Sequence, residues 1–173
     1  MNSEMAIDLN VMQFCTFRIE HRLFGINIVS VKEINHEINY TPIAHTHPAV
    51  KGYMNLRGQI VLLICLRNLL GYPEVQLENQ SVIFFKTSLF EFMGIIVDEV
   101  GDITKVDISQ IEFVDLCKKS SINTEIQHIN SFKAEKHKIA HELIKGACKL
   151  QNELMMILDE YKIIPAFSKN DLD

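Results

Sequence analysis

The sequence predicts a mainly β fold, and three observations favour it. Short runs rich in aromatic and β-branched residues recur along the chain with turn-forming residues between them, as in an all-β sandwich or barrel. Hydrophobic residues make up 47% of the 173 residues and charged residues 23%, which is typical of a globular protein rather than a disordered one. One interval alone, 111–146, turns polar and lysine-rich and breaks the β pattern.

The first two strands are predicted near the N-terminal end. Residues 13–19 are rich in aromatic and β-branched side chains, a polar run at 20–22 interrupts them, and an apolar run resumes at 23–28. Two such runs around a short polar turn predict a β-hairpin. Thr41-Pro42 and His47-Pro48 then predict a loop, because the residue before a proline is disfavoured in a helix.

The central segment predicts a tight turn followed by a buried strand. Asn55 to Gly58 has the composition of a turn, in which Gly58 can take a positive φ. Residues 60–66 are apolar at every position, as expected for a strand buried on both faces. Residues 67–71 predict one helical turn that ends at a glycine.

Further strands are predicted in the second half of the chain. Residues 81–86 and 91–100 form a second hairpin in this interpretation, 102–106 extend it, and 153–159 supply a late strand. The exception is 131–145, where apolar residues at helical spacing predict a short amphipathic helix, with Ser131 as its N-cap and Gly146 as its stop.

Composition and motifs exclude several classes of function. The net charge of −5 and the pI near 5.8 disfavour a nucleic-acid-binding protein. No apolar run approaches the roughly 18 residues of a membrane-spanning helix, and the acidic N-terminus lacks the features of a secretory signal, so a cytoplasmic location is expected. Phosphate-binding glycine loops and GxSxG are absent, and no cofactor is predicted. The cysteines are far apart and are expected to be reduced core thiols: Cys15, Cys65, Cys117 and Cys148.

Metal binding is the best enzymatic alternative. His137 and His141 stand four residues apart on the predicted helix, a spacing that places two imidazoles on one face. A metal-dependent hydrolase needs a third ligand, and none stands close in the sequence. The favoured interpretation is that these two histidines are surface residues and that His45 and His47 are loop residues.

The carboxylates offer no catalytic pair. Asp98 and Glu99 are adjacent, and adjacent strand residues point to opposite faces, so solvated charges at a strand end are predicted. The isolated acids Asp115, Asp159 and Glu160 are predicted to be exposed.

Two charged residues remain as candidates for partner binding. Arg57 lies in the predicted turn between Leu56 and Gly58, and a guanidinium at a rigid turn can anchor a partner. Glu33 lies close to the apolar Val31 in the same way. A solvated surface role is the alternative for both.

Four blocks of the sequence resemble the CheW-like family of chemotaxis coupling proteins. They occur in the family's order at 24–34 (FGINIVSVKEI), 50–71 (VKGYMNLRGQIVLLICLRNLLG), 93–103 (MGIIVDEVGDI) and 153–159 (ELMMILD). The second block carries the most specific features, which are a glycine, then NLRG, then an apolar strand that ends in a Leu-Arg pair.

The resemblance implies a CheW-like domain at 13–164 with terminal tails at 1–12 and 165–173. It implies two small five-stranded SH3-like β-barrel subdomains on a common hydrophobic core. The early blocks would build mainly the first barrel, the 81–103 hairpin the second, and the last strand would complete the first.

The resemblance also implies a noncatalytic adaptor. The protein would link the cytoplasmic tip of a chemoreceptor to the regulatory domain of a CheA-type histidine kinase, at membrane-associated arrays but without inserting in the membrane. Mixed rings with the CheW-like kinase domain, or self-association, are further partners it allows. An adaptor of another chemosensory-like pathway, such as twitching motility, is the near alternative.

Carried over by position, the family's receptor-facing groove maps to four residues of this chain: Val31, Glu33, Arg57 and Val82. The residues expected to support the adjoining turn are Lys51, Gly52, Asn55 and Gly58. The resemblance assigns no residue of this chain to kinase contact.

Overall fold

A computed structural model describes residues 10–86, 92–113 and 142–168, which form two six-stranded β-sheets. The two sheets contain all the strands of the described residues. In chain order these are β1 (Val11–Ile19), β2 (Arg22–Asn27), β3 (Val31–Asn35), β4 (Thr41–Pro42), β5 (Val50–Leu56), β6 (Gln59–Cys65), β7 (Ser81–Phe85), β8 (Met93–Val97), β9 (Glu99–Asp107), β10 (Ile111–Phe113), β11 (Ile144–Lys149) and β12 (Leu154–Leu158).

Helical structure is confined to short elements in the described part of the chain. The α-helices are α1 (Leu66–Leu69) and α2 (Ile163–Ser168), two further helical residues stand at 142–143, and 3-10 turns cover Ile28–Ser30, Ile108–Gln110 and Glu160–Lys162. None of these helices has the length and apolar composition that a membrane crossing requires.

Sheet 2 is formed by one continuous segment of the chain, which lies in the sequence between strands of sheet 1. Sheet 2 has the order β3-β7-β8-β6-β5-β4 and uses 31–97, whereas sheet 1 has the order β10-β11-β12-β2-β1-β9. The late strand β12 pairs in parallel with β2, so the prediction that it completes the first subdomain is confirmed. The expected division of the blocks is wrong in two respects. Strands β5 and β6 belong to sheet 2 with β7 and β8, and β9, which was predicted to extend the second hairpin, pairs with β1 in sheet 1.

Most of the local predictions hold. The β1–β2 hairpin, the turn between β5 and β6, the helical turn α1 and the β7–β8 pair are all present. Two strands are added at the sheet edges, β4 with two residues and β10 with three, so each sheet has six strands rather than five. The prediction that every residue of 60–66 is buried is wrong at Ile60, which is 56% exposed beside the turn.

The helix predicted at 131–145 lies outside the described residues as far as 141. Glu142 and Leu143 are helical, but Ile144 already begins β11, and Gly146 is a strand residue rather than a helix stop. Gly146 pairs with β10, and its missing side chain matters there, since a Cβ would lie 2.8 Å from the Glu112 carbonyl oxygen.

Three of the cysteines are free and buried, which agrees with the prediction of core thiols. Burial raises the pKa of the thiol at Cys15, Cys65 and Cys148, which keeps each of them protonated and unreactive at neutral pH. Cys117 lies outside the described residues.

Alternation along the strands divides the core into three clusters. In β7, Val82 and Phe84 point into the interior of sheet 2, while Ile83 and Phe85 join a cluster shared by both sheets. In β12, Met155 and Ile157 face the interior of sheet 1, and the intervening residues join the shared cluster. A strand between two apolar cores has no solvent face, which explains why every residue of β7 and β8 is buried.

The chain crosses from sheet 1 to sheet 2 at Ile28–Ser30, and a buried carboxylate holds this crossing. Glu160 is 4% exposed and accepts a hydrogen bond of 2.5 Å from the Ser30 hydroxyl. Its second oxygen accepts from Nζ of Lys145, on β11, at 2.9 Å. The contacts join the crossing to the C-terminal segment, so the prediction that Glu160 is exposed is wrong.

The chain returns to sheet 1 at Asp98, between β8 and β9, where a buried ion pair holds it. Arg67, on α1, donates from Nε to one carboxylate oxygen of Asp98 at 3.1 Å and from Nη2 to the other at 2.9 Å. Nη1 of Arg67 also binds the Glu20 carboxylate, and the Glu20 backbone N–H donates to Asp98 at 2.7 Å. Elements from both sheets therefore meet at this one guanidinium.

Asp98 is thus the second carboxylate, after Glu160, that was predicted to be solvated but is buried, at 6% exposure. Burial by itself lowers the pKa of Arg67, but the hydrogen bonds to Asp98 and Glu20 outweigh it and raise that pKa. A charge this deeply buried is tolerated only with a partner, and the bidentate geometry supplies one.

We predict that Arg67→Ala destabilises the fold by about 3–5 kcal/mol, because it leaves the buried Asp98 carboxylate without its cation. The double variant Arg67→Met, Asp98→Leu should lose less than Arg67→Ala, since it removes both charges. Urea unfolding of the three proteins measures this. A loss below about 1 kcal/mol for Arg67→Ala would contradict a structural role for the pair.

Glu160 predicts a specific dependence of stability on pH. Its burial opposes ionisation, but hydrogen bonds from Ser30 and Lys145 prevail and lower its pKa. Because the folded-state pKa lies below the unfolded value of about 4.3, the stabilisation is complete above that pH and is lost as pH falls through the folded pKa.

We therefore expect Glu160→Gln to be less stable than the parent chain near neutral pH, by about 1–3 kcal/mol. The difference should shrink as pH falls below about 4. Urea unfolding across this pH range tests it, with the exposed Glu112→Gln as control. A difference that stays constant with pH would contradict the assignment.

Candidate functional site

The turn between β5 and β6 holds Arg57 in a fixed position at the surface. Arg57 has φ 52° and Gly58 has φ 88°, and two consecutive positive φ values are typical of a type I′ hairpin turn. The Asn55 side chain accepts a hydrogen bond of 2.8 Å from the Gly58 N–H and closes the turn. The predicted supporting role of Asn55 and Gly58 thus has a local physical basis.

Arg57 and Glu33 lie together, although they are on distant elements. Glu33 is on the edge strand β3, and its Oε2 is 2.9 Å from Nη2 of Arg57. Next to this pair, Nζ of Lys32 donates to Oε1 of Gln59 at 3.2 Å. We call the surface formed by Lys32, Glu33, Arg57 and Gln59 the clasp surface. It exists because sheet 2 curls until its β5–β6 turn reaches β3.

The two members of the ion pair differ in exposure. The Arg57 side chain is 81% exposed and the Glu33 side chain is 23% exposed. An exposed pair of this kind contributes little to stability, about 0–1 kcal/mol. A guanidinium held in place but still open to solvent can instead bind a carboxylate or a backbone carbonyl of another molecule.

The other two predicted site residues lie beneath the surface. Val31 is 8% exposed and belongs to the shared core, and Val82 is fully buried in the interior of sheet 2. Neither of these side chains is therefore exposed for direct contact with a receptor. They lie on neighbouring strands of sheet 2, β3 and β7, but on opposite faces of the sheet, because Val31 packs in the shared cluster and Val82 in the interior of sheet 2.

Lys51 and Gly52 support a neighbouring part of the sheet. Nζ of Lys51 is 2.6 Å from Oε1 of Glu74, which ties β5 to the segment after α1. Gly52 has φ 152° and pairs with Pro42 on β4, and a Cβ at Gly52 would lie 2.0 Å from the Thr41 carbonyl oxygen. Only glycine allows β4 to approach β5 this closely.

Histidines of the described segments do not assemble into a metal centre. His47 accepts a hydrogen bond of 3.1 Å from the Ala49 N–H and stabilises its loop. Within residues 10–86, 92–113 and 142–168, no group of three or more His, Cys, Asp or Glu side chains could hold a metal ion. His137 and His141 lie outside the described residues.

A serine and a histidine do meet, but in a buried arrangement. Nδ1 of His36 is 2.9 Å from Oγ of Ser81, a distance suited to nucleophile and base. Ser81 is only 1% exposed, however, so its hydroxyl is not open to a substrate. The contact instead fixes the end of β3 against β7.

Sequence reasoning missed the buried charges at the two crossings. Asp98 and Glu160 carry no local pattern that separates them from exposed acids. Arg67 had one usable indication, since it follows a run of apolar residues at 60–66 and completes the Leu-Arg pair of the second block. An arginine directly after a buried strand needs a partner, and its partner proved to be a carboxylate.

The family model for the CheW-like domain matches residues 13–122, which is more than half of the chain. The match includes every residue of the clasp surface and both members of the Arg67–Asp98 pair.

Individual relatives agree with the family model. The chain is 32% identical over 109 residues to the chemotaxis protein CheW of Klebsiella aerogenes, covering 63% of this chain and 66% of that protein, slightly less than two thirds of its length. It is 23% identical over 160 residues to the CheW of Thermotoga maritima, covering 92% of each. Protein PilI of Pseudomonas aeruginosa is 34% identical over 84 residues, which are 49% of this chain and 47% of PilI.

A solved structure has the same fold. The scaffolding protein TtCheW from Thermoanaerobacter tengcongensis superposes with a TM-score of 0.68 at 21% sequence identity, covering 86% of this chain and 88% of that one.

We predict that Gly52→Ala costs about 1–3 kcal/mol of stability, because its Cβ overlaps the Thr41 carbonyl and separates β4 from β5. Gly58→Ala is the matched comparison, since no atom lies within 4 Å of its Cβ and only the positive φ opposes it, at about 1 kcal/mol. Thermal and urea unfolding measure both. A larger loss for Gly58→Ala would contradict this account.

Proposed function

The chain belongs to the CheW-like domain family, and on that premise we propose that it is a noncatalytic adaptor that couples chemoreceptor tips to a CheA-type histidine kinase. The observation that carries the proposal is the family match over 13–122. Relatives named as chemotaxis proteins and a neighbour described as a scaffolding protein support it. The adaptor would act at membrane-associated receptor arrays, through its partners.

The clasp surface is the receptor-binding site in this proposal. Arg57 would contact the receptor directly, because its guanidinium is exposed and the type I′ turn fixes its backbone. Glu33 would orient the guanidinium and would also contact the receptor through the exposed part of its own side chain. Val31 and Val82 would act indirectly, because their packing in the core fixes the positions of β3 and β7.

The functional unit in this proposal is 13–164, which is longer than the matched 13–122. Sheet 1 needs β11 and β12, since β12 is the strand that pairs with β2. Ile163 on α2 is fully buried in the shared core, so the C-terminal segment belongs to the same unit. A chain that ended at 122 would lack β11 and β12, so β2 would lose the strand that pairs with it.

The second candidate function is adaptor for a different chemosensory-like pathway. The similarity to PilI, a relative that is not named for chemotaxis, favours keeping this alternative. The mode of action would be the same, and only the identity of the receptor and kinase would differ. Titration against partners from each pathway of the same cell distinguishes the two.

We expect Arg57→Ala to weaken binding of a receptor-tip fragment about tenfold, because it removes the one exposed guanidinium of the clasp surface. Binding to the CheA regulatory domain should not change, and stability should change by about 0.5 kcal/mol or less. Isothermal titration calorimetry with each partner measures both affinities.

The matched control is Lys105→Ala, which removes an exposed cation from β9, on sheet 1. It should leave both affinities unchanged. Equal receptor affinity for the parent chain and Arg57→Ala would remove Arg57 from the site. Equal loss towards both partners, with unfolding, would show a structural effect instead.

A further inference from the structure

A groove on sheet 2, away from the clasp surface, has the form of a slot for an extended chain. One wall is the connection from β3 to β4, and the other is the segment 73–80 between α1 and β7, which we call the strap. The cavity between them has a volume of 640 Å³, within the range of ordinary ligand sites. Cys65 and Ile96, both buried, form its floor.

Both walls lie outside the helices and strands, Glu78 and Asn79 form a turn near the end of the strap, and each wall contributes two apolar side chains to the slot. His36, Ile38 and Tyr40 line the slot from the first wall. On the strap, Val75 and Leu77 are 38% and 40% exposed, with polar residues between them. These two side chains leave apolar surface open inside the slot, where an apolar side chain of a partner could cover it.

The backbone of both walls is also unpaired. Among the described residues, Ile38 to Tyr40 and Glu74 to Gln76 take part in no backbone-to-backbone hydrogen bond and belong to no strand, whereas Glu78 and Asn79 form a turn. Unpaired N–H and C=O groups in a segment that is neither helix nor strand can pair with the backbone of an added strand. An added strand would satisfy groups that now depend on water.

The charges of the strap indicate which charge a suitable partner should carry. Glu74 is paired with Lys51, but Glu78 has no ion-pair or hydrogen-bond partner among the described residues. Glu99 stands near Glu78 in the adjoining cavity and adds a second negative charge. A lysine or arginine opposite Glu78 would therefore be favoured, and an acidic residue there would be repelled.

We propose that the slot binds an extended segment of a partner protein by strand addition. The segment would carry apolar side chains opposite Val75 and Leu77 and a basic side chain opposite Glu78. An amphipathic helix fits less well, because it satisfies its own backbone and would leave both walls unpaired. This site does not depend on the proposed receptor and kinase partners.

The test uses the full chain and three heptapeptides with blocked ends. The probe is acetyl-TVKVKVT-amide, which alternates valine and lysine. Acetyl-TVKPKVT-amide keeps the charge but removes a backbone donor, and acetyl-TVEVEVT-amide reverses the charge. Nuclear magnetic resonance follows the backbone amides during each titration and also their exchange with solvent.

We expect the lysine peptide to shift and protect amides of 38–40 and 74–78, and the other two peptides to bind at least about tenfold more weakly. Glu78→Lys should weaken the lysine peptide by a similar factor. The control Glu112→Lys reverses an exposed charge on β10 and should have no effect.

Three results would overturn the proposal. The first is no shift of these amides at millimolar peptide. The second is equal binding of the proline peptide, which would indicate an ionic contact without strand pairing. The third is a shift of the same amides with protein concentration alone, which would make a second copy of this chain the occupant.

Discussion

The bidentate ion pair between Arg67 and Asp98 lies where the chain returns from sheet 2 to sheet 1, and the arrangement of the two sheets depends on it. Arg67 belongs to the element after β6, Asp98 to the junction of β8 and β9, and Glu20 to the β1–β2 turn. A rigid guanidinium fork fixes both the distance and the direction of its partners. The opposite crossing is held by Glu160 through Ser30 and Lys145. Each crossing thus combines apolar packing, which is not directional, with a buried polar contact, which is.

These two junctions fix the position of the clasp surface as well as the packing of the core. Both sheets contribute to one shared cluster, and each also fills its own interior. Strand β3 begins at one crossing, so its position relative to β5 and β6 is set from within the core. The clasp surface follows, because Glu33 and Arg57 meet only when sheet 2 has this curvature. Partner binding as proposed would therefore use groups whose own contribution to stability is small but whose placement depends on the whole fold.

Much of the fold was predictable from the sequence, and the exceptions have physical causes. Alternation and turn residues were sufficient for the β1–β2 hairpin and for the β5–β6 turn, since both depend on local chemistry. The placement of β5 and β6 in sheet 2 was not, because pairing of β6 with β8 joins distant residues. Glu33 and Arg57 were candidates from their places in the sequence and again from the family resemblance, but the burial of Val31 and Val82 depends on how two sheets pack. Asp98 and Glu160 were missed because a buried acid is identified by its partner, which is far away in the chain.

In the proposed function, one adaptor binds a receptor tip and a CheA-type kinase at the same time. The most direct test is the mass of the complex that forms when the chain is mixed with both a receptor-tip fragment and a CheA-type regulatory domain. Size-exclusion chromatography with light scattering gives that mass. We predict a ternary complex that contains all three components. Two binary complexes that exclude each other, at concentrations where each partner binds alone, would contradict the account.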